Sequence, residues 1–280
     1  MLLASVGFGV WAARAQDAAQ GPMAPPPEHH VYRIGTDSGT PAPPSLPPEE
    51  IIRRFSQKED EYLLLRTHYS FRKTVRIQEF GPDGKPAGEF LRVTDNTRSP
   101  DGRVSVRVVE RPQSTLQSVF LAPEDIQALD QIPAFPLTTS QLPKYDVKYL
   151  GIEQVDDIDC YIFQVKPKSV ERAHAYFDGI VWVDAKYLEV LKTYGKWVTD
   201  QGDRRVVAQL PFSLFETYRE NVDGKYWFPN YSRSDDTLHL KDAEIPMRIV
   251  VKWSDFKPVQ AEPPVPVPPT PPADPAKPKP

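Results

Sequence analysis

The side chains that most often carry chemistry in proteins are sparse in this sequence. Three histidines, His68, His174 and His239, lie far apart along the chain and share no motif. The sequence has no Gly-x-Ser-x-Gly elbow, no His-Glu-x-x-His pair, no glycine-rich phosphate loop and no Cys-x-x-Cys. These motifs are the usual local signatures of nucleophilic, metal-dependent, phosphoryl-transfer and redox chemistry. We therefore expect no catalytic residue and no enzymatic activity.

The candidate metal ligands are equally weak. The run Asp156-Asp157-x-Asp159 offers carboxylate oxygens, but it lacks the glycine and the distal glutamate of a calcium loop. Asp235-Asp236 and the adjacent pair His29-His30 have no further ligands at a characteristic spacing. A solvated segment is the simpler interpretation of each run. We expect neither a metal site nor a cofactor.

The charge and the cysteine content limit the possible partners. The net charge is −4 and both signs are interspersed, so no basic stripe indicates nucleic-acid binding. The chain has one cysteine, Cys160, which excludes a disulfide framework and leaves no lipid-anchor cysteine near the N-terminus. Its neighbours Tyr161 and Ile162 are apolar, so we expect Cys160 to pack in the interior.

The N-terminal residues 1–15 have the pattern of a signal peptide. Leu2–Trp11 is apolar but too short to span a bilayer as a helix, and Ala13-Arg14-Ala15 has the small-x-small pattern of a cleavage site. The usual basic n-region is missing, which indicates a start codon placed too late or a truncated segment. We expect an exported, soluble protein with no stable membrane anchor.

Proline-rich segments flank a single folded domain, which we place at residues 47–258. Residues 16–46 and 259–280 hold most of the 32 prolines, and proline at this density favours extended polyproline II over helix or sheet. We predict that both segments are disordered. A solvated spacer is the simpler interpretation of the C-terminal tail, and a docking ligand for a proline-binding groove or for the cell wall is the alternative.

Within the domain, the hydrophobic pattern changes from helical to alternating. Pro47-Pro48-Glu49-Glu50 suits the start of an amphipathic helix, whose predicted apolar face consists of Ile51, Ile52, Phe55, Tyr62 and Leu63. A second short helix begins at Pro123. Apolar residues alternate with polar ones from Tyr69 onward, and residues 145–197 contain four β segments in series, which indicates a meander. We predict nine to eleven antiparallel strands and two or three helices. This is a mainly β (α+β) fold, an antiparallel half-closed β-barrel with a helical lid around an apolar cavity.

Several turn and strand motifs resemble a known family. They comprise Gly151, Val155-Asp156 and Asp159-Cys160-Tyr161, then Gly179–Asp184 with Tyr187–Val190, then Val222–Pro229 and Lys252–Phe256. Together they resemble the LolA/LolB-like group of periplasmic, outer-membrane lipoprotein-sorting proteins over most of residues 49–256. The resemblance implies an unclosed β-barrel with a helical lid that holds lipoprotein acyl chains or another hydrophobic ligand, without catalysis, in the periplasm. The proline-rich tails and the inserted turn at Asp95–Asp101 depart from a minimal carrier.

The expected ligand site is the wall of the barrel cavity. The candidates are residues on the apolar side of an alternating strand and aromatic residues on the other predicted strands. They are Tyr69, Phe71, Val75, Ile77, Tyr161, Phe163, Trp182, Met247, Ile249, Val251 and Trp253. The alternative interpretation is that the same side chains fill the core. The predicted function is non-enzymatic binding of lipid or lipoprotein acyl chains. The alternative is a periplasmic scaffold or stress sensor with a side-chain-filled barrel, whose partner is an envelope protein.

Overall fold

A computed structural model describes residues 32–34, 43–99, 103–130, 135, 137–172, 174–199, 202–204, 210–224 and 226–259. The predicted signal peptide, most of the first proline-rich segment and nearly all of the C-terminal tail lie outside the described residues. The predicted domain of 47–258 falls almost wholly within them. Among the described residues, no helix is both long enough and apolar enough to cross a membrane.

The described chain forms two α-helices, one 3₁₀ turn and thirteen strands. The helices are α1 (Pro48–Arg66) and α2 (Pro123–Asp130), and the 3₁₀ turn is Leu142–Lys144. The strands are β1 (Tyr32–Ile34), β2 (Tyr69–Phe80), β3 (Pro86–Arg98), β4 (Val104–Val108), β5 (Gln113–Ser114), β6 (Tyr145–Val155), β7 (Ile158–Pro167), β8 (Tyr176–Asp184), β9 (Val190–Thr199), β10 (Gly202–Arg204), β11 (Leu214–Val222), β12 (Tyr226–His239) and β13 (Glu244–Pro258).

The strands form one antiparallel sheet. Its order is β1-β6-β7-β8-β9-β11-β12-β13-β2-β3-β4, and the short strands β5 and β10 pair at the side with β3 and β9. The terminal strands β1 and β4 do not pair with each other in the described part of the chain, so the sheet stays open. The predicted mainly β, antiparallel fold with helices is confirmed, with eleven strands along the main path.

Strand β1 corrects one expectation. It lies inside the proline-rich segment 16–46, for which the composition predicted no structure, and Tyr32 pairs with Gln154 of β6. The sequence VYRI is a local interruption of the proline-rich composition and contains β-branched and aromatic residues. Strand preference in so short a run is decided by the neighbouring edge of β6, which supplies the backbone partners.

Helix α1 begins where the sequence indicates. Proline lies in its first turn and Glu49 and Glu50 follow, where acidic side chains favour the positive end of the helix. Ile51, Phe55 and Tyr62 are buried against the sheet. Leu63, which we expected on the same face, is 37 % exposed. Successive residues of a helix are about 100° apart around its axis, so Leu63, which follows the buried Tyr62, lies at the border of the buried face.

The two helices cover different halves of the inner face of the sheet. Under α1, Ile51 and Phe55 pack in one cluster with Phe163, Val181 and Val183, and the rings of Phe55 and Phe163 are 5.6 Å apart. The second cluster lies under α2. It consists of Leu129 of α2, Leu210 and Phe212, and the inner residues of β2 and β13. The two halves of the inner face therefore pack separately, and a third, smaller cluster of Tyr62, Tyr69 and Phe228 lies near the C-terminus of α1.

A buried ion pair joins α1 to the sheet between these halves. Arg219 of β11 donates two hydrogen bonds to the Glu59 carboxylate, at 2.6 and 2.8 Å, and a third to the carbonyl oxygen of Phe135 at 2.6 Å. The side chains are 3 % and 0 % exposed, and the guanidinium lies 4.6 Å from the ring centre of Tyr62. Paired and hydrogen-bonded in this way, the two charges are compatible with burial.

Removing one partner of this pair is predicted to destabilise the fold strongly. In Arg219→Leu the Glu59 carboxylate stays buried without its partner, and breaking a buried pair in this way costs about 3–5 kcal/mol of unfolding free energy. Urea unfolding followed by circular dichroism measures the loss. The double variant Glu59→Met/Arg219→Leu removes both charges and should recover much of the lost stability.

The matched control is Arg53→Ala, which breaks the exposed pair with Glu50 on the outer side of the same helix. Exposed pairs contribute little, so its urea midpoint should stay close to wild type. An Arg219→Leu midpoint equal to that of this control would contradict the structural role of the buried pair.

Candidate functional site

Most of the predicted wall residues lie on one face of the sheet. Strands β2 and β13 pair in register, with Ile249 opposite Ile77 and Val251 opposite Val75. Met247 and Trp253 continue this face of β13, and Tyr69 and Phe71 continue it on β2. Antiparallel partners point to the same side. The two sets that the sequence analysis paired by parity are therefore brought together on the inner face.

The deeper members of these sets are packed as core. Five side chains are at most 1 % exposed: Val75, Ile77, Met247, Ile249 and Val251. They contact Leu129 of α2 together with Leu210 and Phe212. This part of the interior is occupied by the chain's own side chains.

Tyr161 and Phe163 lie on the inner face of the other half of the sheet. Phe163 is fully buried beneath Phe55 of α1. The Tyr161 hydroxyl lies 2.6 Å from the Ser45 hydroxyl, in the segment that precedes the helix. Both side chains are thus covered by α1 and its N-terminal approach.

Trp182 lies on the opposite face, which corrects its inclusion among the wall residues. Its neighbours Val181 and Val183 are the inner residues of β8, and alternation along a strand turns Trp182 outward. There it packs beside a small outer cluster formed by Val155, Cys160 and Leu191. Its indole nitrogen donates to the Glu153 carboxylate at 2.9 Å.

Cys160, in the same outer cluster, is buried as expected. Burial raises the pKa of its thiol to about 12, so the thiol stays protonated near neutral pH and is a poor nucleophile. Asp156 and Asp157 form the exposed turn between β6 and β7. Across the described residues, no group of three or more His, Cys, Asp and Glu side chains is placed to hold a metal ion.

Tyr69, Phe71 and Trp253 line a small cavity at the end of the sheet nearest the C-terminus of α1, which we call the aromatic mouth. Its other residues are Tyr62, Arg66, Lys73, Asn96, Asp130, Phe228, Pro229 and Phe256. The cavity measures about 60 Å³. This is the share of about two water molecules in the liquid, and far less than the roughly 300–1,000 Å³ of typical ligand sites.

Lys73 is the buried cation of the aromatic mouth. It is 3 % exposed, and its ammonium donates to the carbonyl oxygens of Leu129 and Asp130 at 2.7 and 3.2 Å. These carbonyls end α2, where backbone acceptors lack partners within the helix. Burial lowers the pKa of Lys73 to about 8. Lys73 therefore ties the end of α2 to β2.

A much larger opening, of about 440 Å³, lies beside α1, and we call it the lateral cleft. Its residues come from α1, from the segment that leads into β6, and from the start of β8 and the end of β9. They are Asp60, Leu63, Phe135, Thr138, Ser140, Gln141, Lys144, Tyr145, His174, Ala175, Tyr176 and Trp197. Its volume lies within the range of sites that bind small molecules.

Aromatic rings form one wall of the lateral cleft. Phe135 and Trp197 both contact the buried ring of Phe177, with ring centres 4.3 and 6.0 Å away. Gly179 and Gly195 are directly opposite each other in β8 and β9, and a Cβ atom on either would collide with the Phe177 ring. The glycine pair therefore makes room for Phe177, which in turn supports the two cleft-lining rings.

The rim of the lateral cleft is polar. Lys144 lies 3.6 Å from the Glu171 carboxylate and 5.7 Å from the ring centre of Tyr176. Contact with the Tyr176 hydroxyl and with Lys144 lowers the pKa of Glu171. The Tyr176 hydroxyl is buried; it lies near enough to Glu171 to lower the pKa of that carboxyl, but it meets full hydrogen-bond geometry with no group in the described residues. It is a polar atom that a ligand can use.

The residues of this cleft were not among those predicted from the sequence to bind a ligand. Tyr145 was predicted only as a strand residue, and Tyr176 and Trp197 only as members of the stretch 145–197 that contains the meander, because none of the three belongs to a functional motif. They meet because β6, β7, β8 and β9 are consecutive neighbours in the sheet, which brings the start of β6, the start of β8 and the end of β9 to the same edge. Aromatic residues at matching strand ends were the available signal.

The burial of Lys73 predicts a pH-dependent stability. Its pKa is about 8 in the folded protein and about 10.4 in an unfolded chain. The unfolded chain therefore binds more protons between these values, and the unfolding free energy rises with pH in this window. Relative to Lys73→Met, wild type should gain about 2 kcal/mol between about pH 7.5 and about pH 10, measured by urea unfolding. An unchanged difference would show that Lys73 titrates normally.

Comparison with known proteins gives a likeness of fold. No model of a known protein family matches the chain, and neither does any curated protein. Among solved structures, a LolA superfamily protein from Nitrosomonas europaea is 18 % identical, with 78 % of this chain and 96 % of that chain covered and a TM-score of 0.35. A DUF1329 family protein from Desulfovibrio piger is 17 % identical, with 74 % and 92 % covered and a TM-score of 0.33.

A putative outer membrane lipoprotein-sorting protein domain from Vibrio parahaemolyticus is 12 % identical, with 74 % of this chain and 92 % of that chain covered and a TM-score of 0.31. The solved structures that match thus include the LolA-like, lipoprotein-sorting group that the sequence resembles. At these identities and TM-scores the likeness concerns the general β architecture and carries no information about function.

Proposed function

We propose that this protein binds an amphipathic ligand with an acyl chain, such as a lipid or the acyl chains of a lipoprotein, in the lateral cleft and without catalysis. One observation carries the proposal. The lateral cleft, at about 440 Å³, is of ligand size, whereas the aromatic mouth holds only about 60 Å³. The ligand therefore lies beside α1 and outside the packed interior of the barrel.

The lining of the cleft suits such a ligand. Leu63, Phe135 and Trp197 offer apolar surface to a chain, and each buried methylene contributes about 0.8 kcal/mol. Lys144, Gln141 and the Tyr176 hydroxyl lie around the same opening and can bind a polar head group. An apolar wall with a polar rim is the arrangement that orients an amphiphile.

A second candidate function rests on a separate observation. The inner face under α2 is filled, since the predicted wall residues Ile77, Ile249 and Val251 are fully buried. A filled barrel is what we expect of a scaffold or sensor that recognises an envelope protein and carries no lipid. In that case the protein purified from its host has no acyl ligand, and its mass by native mass spectrometry does not change on addition of lipid.

Lipid binding in the lateral cleft predicts different effects of charge at two neighbouring positions of α1. Leu63 lines the cleft and is 37 % exposed, whereas Leu64 is 65 % exposed and does not line it. Leu63→Arg should weaken binding of a fluorescent fatty acid at least about tenfold, because a charge desolvated against the chain costs more than 1.4 kcal/mol. Leu64→Arg is the matched control and should bind as wild type does.

Two further measurements place the ligand. Palmitate should displace the fluorescent probe from wild type, and binding should change the fluorescence of Trp197, with Trp197→Phe as the reference. Phe71→Asp changes the aromatic mouth and should leave the affinity unchanged. Loss of binding in Phe71→Asp but not in Leu63→Arg would place the ligand in the mouth and contradict the cleft. No uptake of fatty acid by wild type would favour the scaffold.

The periplasmic location is part of the same proposal. It is supported by the apolar run Leu2–Trp11 and the small residues Ala13 and Ala15 that follow it. N-terminal sequencing of the protein from the periplasmic fraction of its host should find a chain that begins at Gln16. Recovery of the chain from the cytosol with Met1 intact would contradict export.

A further inference from the structure

Strand β4 ends the sheet on one side with an exposed apolar edge. All five of its residues are exposed, and Val104, Val106 and Val108 are 55 %, 44 % and 40 % exposed. β4 pairs with β3 on one side, and none of the described strands pairs with its other side. It contains neither the proline, the lysine nor the bulge with which proteins commonly protect such an edge.

The register shows which backbone groups face this open edge. Val109 donates to the carbonyl oxygen of Val93, and Ser99 donates to that of Arg103, so the odd-numbered residues of this segment bond to β3. In an antiparallel pair the residues between them point their N–H and C=O groups the other way. The backbone groups of Val104, Val106 and Val108 are therefore directed at the open edge.

The side chains of the same three valines form one stripe. They pair with Thr94, Asn96 and Arg98 of β3, and so they lie on the face that also carries the aromatic mouth. Arg107 points to the opposite face, where its guanidinium donates to the Asp95 carboxylate at 2.7 Å. The three valines of β4 thus supply both the backbone groups that face the open edge and an apolar surface.

We propose that this edge is the interface with a second copy of the same chain, which pairs with it antiparallel about a two-fold axis through Val106. In this register Val106 lies opposite the partner's Val106. Val104 lies opposite the partner's Val108, and the second Val104–Val108 pair follows by symmetry. The outward backbone groups of both strands then form three consecutive hydrogen-bonded pairs, and the two sheets become one continuous sheet.

The sequence of β4 is self-complementary in this register. Six valines form one apolar stripe across the interface, and Arg107 lies opposite the partner's Ser105. A shift by two residues in one direction places Arg107 against the partner's Arg107, and a shift in the other places it against the partner's Arg103. Like charges directly opposite each other destabilise a strand pair. All three registers are compatible with a closed two-fold interface, and charge favours the one centred on Val106.

Charge at Val106 provides the test of the interface. Wild type should sediment as a dimer in analytical ultracentrifugation, and Val106→Lys and Val106→Glu should each sediment as monomers, since each places like charges opposite one another. An equimolar mixture of the two variants should form a dimer again, because opposite charges then meet. Leu240→Lys, at a residue 46 % exposed and distant in sequence, is the control and should remain dimeric. Circular dichroism checks that each variant is folded.

Cysteine cross-linking tests the register. In Val106→Cys the two Cα atoms are about 5.5 Å apart, within disulfide range, so oxidation should give a covalent dimer. In Val104→Cys the equivalent atoms are separated by four residues of strand, about 13 Å, and should not cross-link. The native cysteine, Cys160, is buried and should not interfere.

Each result decides the proposal. A dimer that Val106→Lys abolishes, that the mixture restores and that Val106→Cys traps supports it. A wild-type protein that is monomeric at all concentrations up to about 100 µM overturns it, because even a weak interface with a Kd in this range would give a detectable fraction of dimer. The proposal is also overturned by a dimer that persists in folded Val106→Lys, or by a Val104→Cys variant that cross-links as readily as Val106→Cys. None of these outcomes depends on lipid binding in the lateral cleft.

Discussion

The position of α1 on the sheet depends on the buried ion pair between Glu59 and Arg219. Both charges are almost completely removed from solvent, and such burial is tolerated only when the partner geometry is good and the remaining hydrogen-bonding groups are satisfied. Arg219 meets this requirement with two bonds to the carboxylate and one to the Phe135 carbonyl. One guanidinium thereby fixes α1, β11 and Phe135 relative to one another. Asp60, Leu63 and Phe135 line the lateral cleft, so the same contact sets the distance between its walls.

Around this contact, the inner face of the sheet divides into two environments. Under α2 the inner valines, isoleucines and Met247 are covered by Leu129, Leu210 and Phe212, and Lys73 holds the end of the helix. Beside α1, the rings of Phe135 and Trp197 pack against Phe177, which lies in the space that Gly179 and Gly195 leave free. Packing in the first half leaves a cavity of about 60 Å³, and the second half opens into one of about 440 Å³. Most of the inner face of this open sheet is thus covered by the chain's own side chains, and the larger opening lies at its side.

The quality of the sequence-based predictions follows the strength of the local pattern. In β2 and in most of β13, where Val250 is the exception, polar and apolar residues alternate, so the residues of the inner face were predicted, and the pairing of Val251 with Val75 places these residues on one face. In β8 the run Ile180-Val181-Trp182-Val183 is apolar throughout, because the outer face carries a small cluster of its own. Because polar and apolar residues do not alternate in this run, the sequence pattern did not show on which face of the sheet Trp182 lies. Leu63 was predicted on the buried face for a related reason. It lies at the border of the apolar stripe of α1, where residue type alone does not show whether a side chain is covered, and in the structure it is 37 % exposed.

By itself, the sequence determined the types of the elements, their order and the antiparallel class of the sheet, because these follow from residue periods and turn chemistry within a few neighbouring positions. Only the tertiary structure decided which apolar residues are core and which line a cleft. A packed wall and an open wall are made of the same residue types, and they differ only in what lies opposite. That depends on contacts such as the one between Glu59 and Arg219, which are 160 residues apart and are joined by strand register and by the path of α1 across the sheet.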